Sequence, residues 1–247
     1  MREARYDALL MMAREAQAAV IAVGHTLDDH VETVLMRIIR GTGVEGLQGI
    51  PAARTIADCR LIRPLRSIWR ADVEEWLRAI HQPWRDDATN AAPTWLRNRI
   101  RHELLPFLAE RYNPRMKHAL RHLADAAAAA WEHVDAQANR WLDAHGTFAG
   151  QPAVAVMPRS SLLEQPRAVQ QAVVREALRR VQGHLRRFTY QHWLEVEALL
   201  AERPVGSIVD LPGRMQMEKT TDALIVRQRH DETTDAITVC QNESFTV

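Results

Sequence analysis

Residues 24–33 read GHTLDDHVET, and the placement of charge and apolarity in and after this stretch decides the fold reading. At about 100° per residue, Val31, Val34, Leu35 and Ile38 share one apolar helical face, with Asp28, Asp29 and Glu32 in an arc along its edge. The carboxylates therefore border a buried face instead of opposing it. Thr26 followed three residues later by Asp29 has the form of a capping box, which starts the helix there and leaves Gly24 and His25 in the preceding turn. Immediately upstream, AAVIAV (18–23) is a short apolar run suited to a strand buried on both faces. His25 then stands where a strand ends and a helix begins, the place at which open α/β sheets bind ligands.

Residues 2–17 form an amphipathic helix by the recurrence of Tyr6, Leu9, Leu10 and Ala13, and the acidic helix runs to about Arg40 before GTGVEG (41–46) breaks it. Helix, strand, turn and helix make half of a doubly wound α/β sheet. CRLIRPL (59–65) is a second strand ended by Pro64, and ADVEEWLRAI (71–80) a further helix. The polar loop QPWRDDATNAAP then leads into TWLRNRIRHELLPFLAERYNP, and 116–145 is a long helical stretch. Beyond it, helical segments at 162–182 and 189–202 alternate with the strands GSIVDLP and ALIVRQ around the turn LPGR, and 231–247 lacks any period. The expected order is a partial parallel α/β domain (1–110), a helical connector (111–150), a small α+β domain (151–230) and a tail (231–247).

Composition excludes several classes. With 247 residues, 47% hydrophobic and 26% charged, the chain is neither disordered nor built of membrane spans, and its start MREARYDALLMMAREAQ carries charge in every turn. A cytoplasmic protein is expected. Cys59 and Cys240 are far apart and outside any CxxC pair, so neither a disulfide framework nor a zinc ribbon is expected. The net charge of +1 gives no global pull toward nucleic acid, so local clusters matter more.

HxxDDxxET is the strongest such cluster. A turn at a strand end, a helix N-terminus and several carboxylates can together hold Mg²⁺ and parts of a nucleoside triphosphate; acids that merely complement the helix dipole are the competing explanation. The spacing of His25 and His30 does not match the zinc arrangement HExxH. In LRNRIRHELLP (96–106), Arg97 and Arg101 lie four apart on one helical face beside Asn98 and His102, a geometry suited to phosphates, although arginine runs on helices are usually a solvated face. RMKHALRH (115–122) and LRRVQGHLRRF (178–188) are weaker basic groups. No Walker A, GxGxxG or GxSxG motif occurs.

The order of GHTLDDHVETVLMRIIRGTGVEGLQGI, RPL, PWRDDATN and LRNRIRHELLPFL resembles the tRNA(Ile)-lysidine synthase family of the PP-loop ATP pyrophosphatase group. The likeness runs from about residue 2 to 123 and returns more loosely at GSIVDLPGRMQMEKTTDALIV. It implies an ATP-dependent ligase that attaches lysine to C2 of the wobble cytidine in the CAU anticodon of tRNA-Ile. The base is first adenylated at O2, and the lysine ε-amine then displaces AMP. The cofactors implied are ATP and Mg²⁺, the partners tRNA-Ile and L-lysine, with no membrane and room for a homodimer.

By position, the resemblance assigns catalysis to His25, Asp28, Asp29, Glu32 and Arg97, with Asp28 and Asp29 as magnesium ligands. It assigns nucleotide or substrate binding to Thr33, Asp87, Thr89, Asn90, Asn98 and Arg101. Ala88 and Thr89 depart from the family's D-P-S-N loop, although Thr89 keeps the hydroxyl. The family's phosphate-gripping loop, SGGxDS, is not in this sequence. The resemblance therefore implies that the chain begins partway through the PP-loop domain, that the first strands of its sheet are missing, and that the fragment is inactive alone and aggregation-prone. A noncatalytic tRNA-binding remnant is the alternative. Thiolation of tRNA is disfavoured by the lack of paired cysteines.

Overall fold

Thr26 is extended (φ −96°, ψ 178°), its amide donates to Asp29 Oδ2 at 2.8 Å, and the helix Leu27–Arg40 follows with the capping box complete. This comes from a computed structural model that describes residues 2–85, 96–150, 153–185 and 188–229, and only the backbone of residues 2 and 3. Asp87, Thr89 and Asn90, and the expected tail, lie outside the described residues.

The chain divides into two compact units, Met1–Val134 and Asp135–Val247. The first begins with α1 (Arg2–Glu15), β1 (Val20–Ala22) and α2 (Leu27–Arg40), then α3 (Val44–Leu47), β2 (Ala53–Ile56), β3 (Cys59–Ile62) and α4 (Arg70–Ala79). β1 pairs with β3 in parallel, Ile21 opposite Leu61, and β2 pairs with β3 in antiparallel fashion to give the sheet order β1-β3-β2. The α/β class with a parallel pair is as expected.

The expectation that 18–23 is buried on both faces fails. Ile21 packs with Ala13, Cys59 and Leu61 under Tyr6, Leu9 and Leu10 of α1, whereas Val20 and Ala22 are exposed. Among the described residues β1 has one strand neighbour, β3, so it lies at an edge and α1 covers only one side of it.

One helical rod, Leu96–Arg111, carries the basic motif in three parts: α5 (Leu96–Arg99), a π turn (Ile100–Leu104) and α6 (Leu105–Arg111). The amide of Leu105 reaches back to the carbonyl of Ile100, five residues earlier. Pro106 gives the reason: it has no N–H for the carbonyl of His102 and its ring would crowd that carbonyl in a regular helix. The inserted residue brings Ile100 and Leu105 onto one side, where both are buried with Val31, Val34 and Leu35 of α2 and with Leu120 and Ala124. Burying each Val, Leu or Ile side chain is worth about 1.5–3 kcal/mol. The apolar stripe of α2 thus docks the arginine-bearing helix directly against the acidic one.

The long helix α7 spans Met116–His145 as its composition predicts, and the boundary between the two units falls within its sequence. In the second unit, β4 (Thr147–Ala149), β5 (Val154–Pro158), β6 (Ile208–Leu211), β7 (Met215–Lys219) and β8 (Ala223–Gln228) form an antiparallel sheet of order β4-β5-β8-β7-β6. The sheet begins within the stretch expected to be connector. The helix expected over 162–182 is two, α8 (Arg159–Leu163) and α9 (Arg167–Gln182), because Pro166 stands at the N-cap of the second. α9 and α10 (Tyr190–Ala201) bury Val173, Ala177, Trp193 and Leu199, and the sheet buries Met157, Met217 and Val226.

Candidate nucleotide site

The N-terminal turns of α2 and the arginine rod meet through buried charge. Glu32 is only 2% exposed. It accepts from Arg101 Nε at 2.5 Å and Arg101 Nη2 at 2.9 Å, and from Arg97 Nε at 3.2 Å. Arg97 also donates to Thr33 Oγ1 (2.9 Å) and to the Asp29 carbonyl (3.2 Å), and Thr33 Oγ1 in turn donates to that same carbonyl at 2.8 Å. Arg101 adds a bond to Asp29 Oδ1 at 3.1 Å. Burial opposes the charge on Arg101, but the Glu32 carboxylate outweighs it and holds the guanidinium pKa above its ordinary value. Both arginines are thus fixed in position by two carboxylates, a hydroxyl and a carbonyl.

Asp28 faces a different set of partners. Its Oδ2 accepts from the amide of Arg70 at 2.9 Å, and its Oδ1 from Lys117 Nζ at 2.6 Å. Burial works against ionisation of Asp28, yet the bonds from Lys117 and from the Arg70 amide prevail and hold its pKa below the usual value. Trp69, just before α4, lies beneath this pair, with Lys117 Nζ 5.9 Å from its ring centroid and His118 edge-on at 5.1 Å. One carboxylate therefore ties α2 to the starts of α4 and α7.

Beside these groups lies a cavity of about 420 Å³, lined by His25, Asp29, Arg97, Asn98 and Arg101 together with Arg5, Tyr6 and Arg70. Four guanidiniums line it, against the lining carboxylate of Asp29 and that of Glu32 behind the wall, which leaves an excess of positive charge. His25 reaches it from the turn after β1, and Asn98 and the arginines from the rod. Of the residues singled out in the sequence, Glu32 and Thr33 stand behind the lining and hold the arginines. Asp28 is on the Lys117 side. Asp87, Thr89 and Asn90 lie outside the described residues.

Magnesium would have to compete for both aspartates. Both oxygens of Asp29 are committed, Oδ2 to the Thr26 cap and Oδ1 to Arg101, so this residue does not suit a cation. Asp28 is likewise engaged at both oxygens, Oδ2 by the Arg70 amide and Oδ1 by Lys117, whose ammonium is about half exposed. Among the described residues no group of three or more His, Cys, Asp or Glu could hold a metal on its own.

Sequence reasoning missed Arg5, Tyr6, Arg70 and Lys117. Arg5 and Tyr6 come from a helix whose polar residues show no pattern, and Lys117 lies in the basic group RMKHALRH, where its spacing points only to a surface. Its place against Asp28 depends on contacts across 89 residues.

Residues 1–108 match the PP-loop domain family model. A tRNA(Ile)-lysidine synthase of Solibacter usitatus (strain Ellin6076) is 40% identical over 186 residues, covering 75% of this chain and 41% of that protein. Those of Dehalococcoides mccartyi (strain CBDB1) and of Nostoc sp. (strain PCC 7120) are 33% and 31% identical, covering 87% and 86% of this chain and 46% and 65% of theirs. The chain is thus similar to the PP-loop domain over its first 108 residues and to tRNA(Ile)-lysidine synthases over most of its length. It spans about half the length of these curated lysidine synthases. Among solved structures, the U34-tRNA thiolase NcsA of Methanococcus maripaludis aligns at 19% identity with a TM-score of 0.37, over 50% of this chain and 41% of that one.

Proposed function

We propose that this chain forms part of a tRNA(Ile)-lysidine synthase and that the cavity at the start of α2 handles the nucleotide and the reacting base. The observation that carries this reading is the convergence of His25 with Arg97, Asn98 and Arg101 on one arginine-rich cavity. In the reaction, cytidine O2 attacks the α-phosphorus of ATP and pyrophosphate leaves. The neutral lysine ε-amine then attacks C2, the C2–O2 bond breaks, and O2 departs with AMP. Negative charge gathers on the α-phosphate oxygens in both steps.

Arg97 and Arg101 neutralise that charge, and because Glu32, Asp29 and Thr33 already hold them, little reorganisation is needed as it develops. Asn98 contributes amide hydrogen bonds. His25, at the cavity wall, accepts the proton that the lysine ammonium must lose. Asp28 would be the residue to steady the magnesium that accompanies ATP, and the likeness to the family assigns Asp87, Thr89 and Asn90 to the nucleotide. The partners are tRNA-Ile with a CAU anticodon and L-lysine. No helix among the described residues is long and apolar enough to cross a membrane, and the protein acts in the cytoplasm, with a homodimer as one assembly open to it.

The test is ATP-dependent incorporation of labelled lysine into a tRNA-Ile transcript with cytidine at the wobble position, using the protein that carries this sequence. Incorporation is expected with cytidine and absent with uridine, and His25→Ala or Arg97→Ala should abolish it with the circular dichroism spectrum unchanged. Wild-type turnover in both variants would remove those residues from the site.

A further inference from the structure

We infer that the turn closing α4 is a stacking platform for an unpaired RNA base, formed by Trp84 with Arg78 and resting on the reading that tRNA is the substrate. α4 starts at Arg70, which lines the cavity, and at about 1.5 Å per residue its far end lies roughly 14 Å away, within reach of neighbouring loop nucleotides. There the chain reverses at His81 (φ 55°), whose amide bonds to the Arg78 carbonyl at 3.1 Å while the Gln82 amide bonds to Leu77 at 2.9 Å. This defined turn folds Trp84 back so that the Arg78 guanidinium lies 5.5 Å from its ring centroid.

The platform is open to solvent. Trp84 is 40% exposed; Trp76 and Ile80, 61% and 49% exposed, point to the other side of α4 from Arg78. Arg78 and Arg85 supply positive charge here, with Glu74, Glu75, Asp86 and Asp87 flanking the stretch in sequence. The ion pair of Arg78 with Glu74, at 3.3 Å, is itself exposed and holds the guanidinium only weakly. An exposed indole beside a guanidinium suits a nucleobase, because bases unstacked from loops lie on aromatic and guanidinium planes. A protein partner would call for a wider apolar surface than three residues provide.

The experiment titrates an anticodon stem-loop carrying 2-aminopurine in its loop with the wild-type protein and with Trp84→Ala, Trp84→Phe and Arg78→Ala. A fully paired hairpin and ATP serve as controls. Wild type and Trp84→Phe should quench the fluorophore. Trp84→Ala should lose the quenching and bind the loop about tenfold or more weakly, and Arg78→Ala should weaken it less, with ATP affinity and paired-hairpin binding unchanged. The inference is overturned if wild type does not quench, if Trp84→Ala quenches and binds as wild type, or if loop and paired hairpin weaken equally. It is also overturned if Trp84→Ala alters only the sedimentation coefficient, which would make this a face between copies. ATP affinity and lysine incorporation test the cavity separately, so either reading can fail without the other.

Discussion

Glu32 is almost sealed from water, and its charge is tolerable only because two guanidiniums bind it. Removing one side of a buried ion pair leaves the other uncompensated, at a cost of about 3–5 kcal/mol when both are fully buried. Arg97 is partly exposed, so Glu32→Ala is expected to cost about 2–3 kcal/mol, read as a lower urea midpoint at unchanged slope. The same substitution frees both arginines and should weaken ATP binding, although Glu32 does not line the cavity. His30 is the second residue with a clear prediction. Burial, and then the nearby Arg66, push its pKa down from 6.5 to about 4, and its Nδ1 accepts from the Ile50 amide at 3.1 Å. The folded ring is therefore neutral at pH 7. Between pH 6.5 and 4 the unfolded chain binds the extra proton, so this contribution is complete above pH 6.5 and is lost as pH falls toward 4, by about 3 kcal/mol. Urea midpoints across that range should fall more in wild type than in His30→Gln.

At the scale of elements, the legible parts were those governed by neighbours in sequence. The Thr26–Asp29 cap, the apolar stripe of α2 and the span of α7 follow from local spacing. β2, reading ARTI, has no apolar alternation and exists because β3 supplies its hydrogen bonds. β7, reading MQMEK, hides its period in two methionines, and its burial comes from the sheet. The π turn was hidden too, since only the clash at Pro106 and the docking against α2 reveal it. Deleting Glu103 should turn Arg97 and Arg101 by about 100° relative to Leu105, reducing ATP affinity while helical content by circular dichroism stays the same. The loop after α2 shows comparable dependence on contact: Arg37 donates to the carbonyls of Gly46 and Gly49, and Gly49 has φ +67°. A Cβ at Gly49 would stand 2.5 Å from the His30 ring, so Gly49→Ala should destabilise by about 1–3 kcal/mol in urea unfolding.

At the scale of the molecule, half of the cavity could be read from sequence. His25, Asp29, Arg97, Asn98 and Arg101 belong to two motifs whose spacing announces them, and the structure brings those motifs together. Arg5 and Arg70 could not be read, because each enters by tertiary packing alone. The sheet of the first unit also leaves β1 at an edge with Val20 exposed, a row of backbone groups available to another chain. Val20→Lys should accordingly lower light scattering by the purified chain at 37 °C with little change in its unfolding midpoint.

The central claim is that the arginines gripped by Glu32 form the wall of a nucleotide cavity. Calorimetric titration with ATP tests it most directly, in wild type and in Arg101→Met. The account predicts saturable binding that falls by about tenfold to a hundredfold in the variant, as expected for loss of a charge-assisted hydrogen bond. Equal ATP affinity in the two proteins would contradict it.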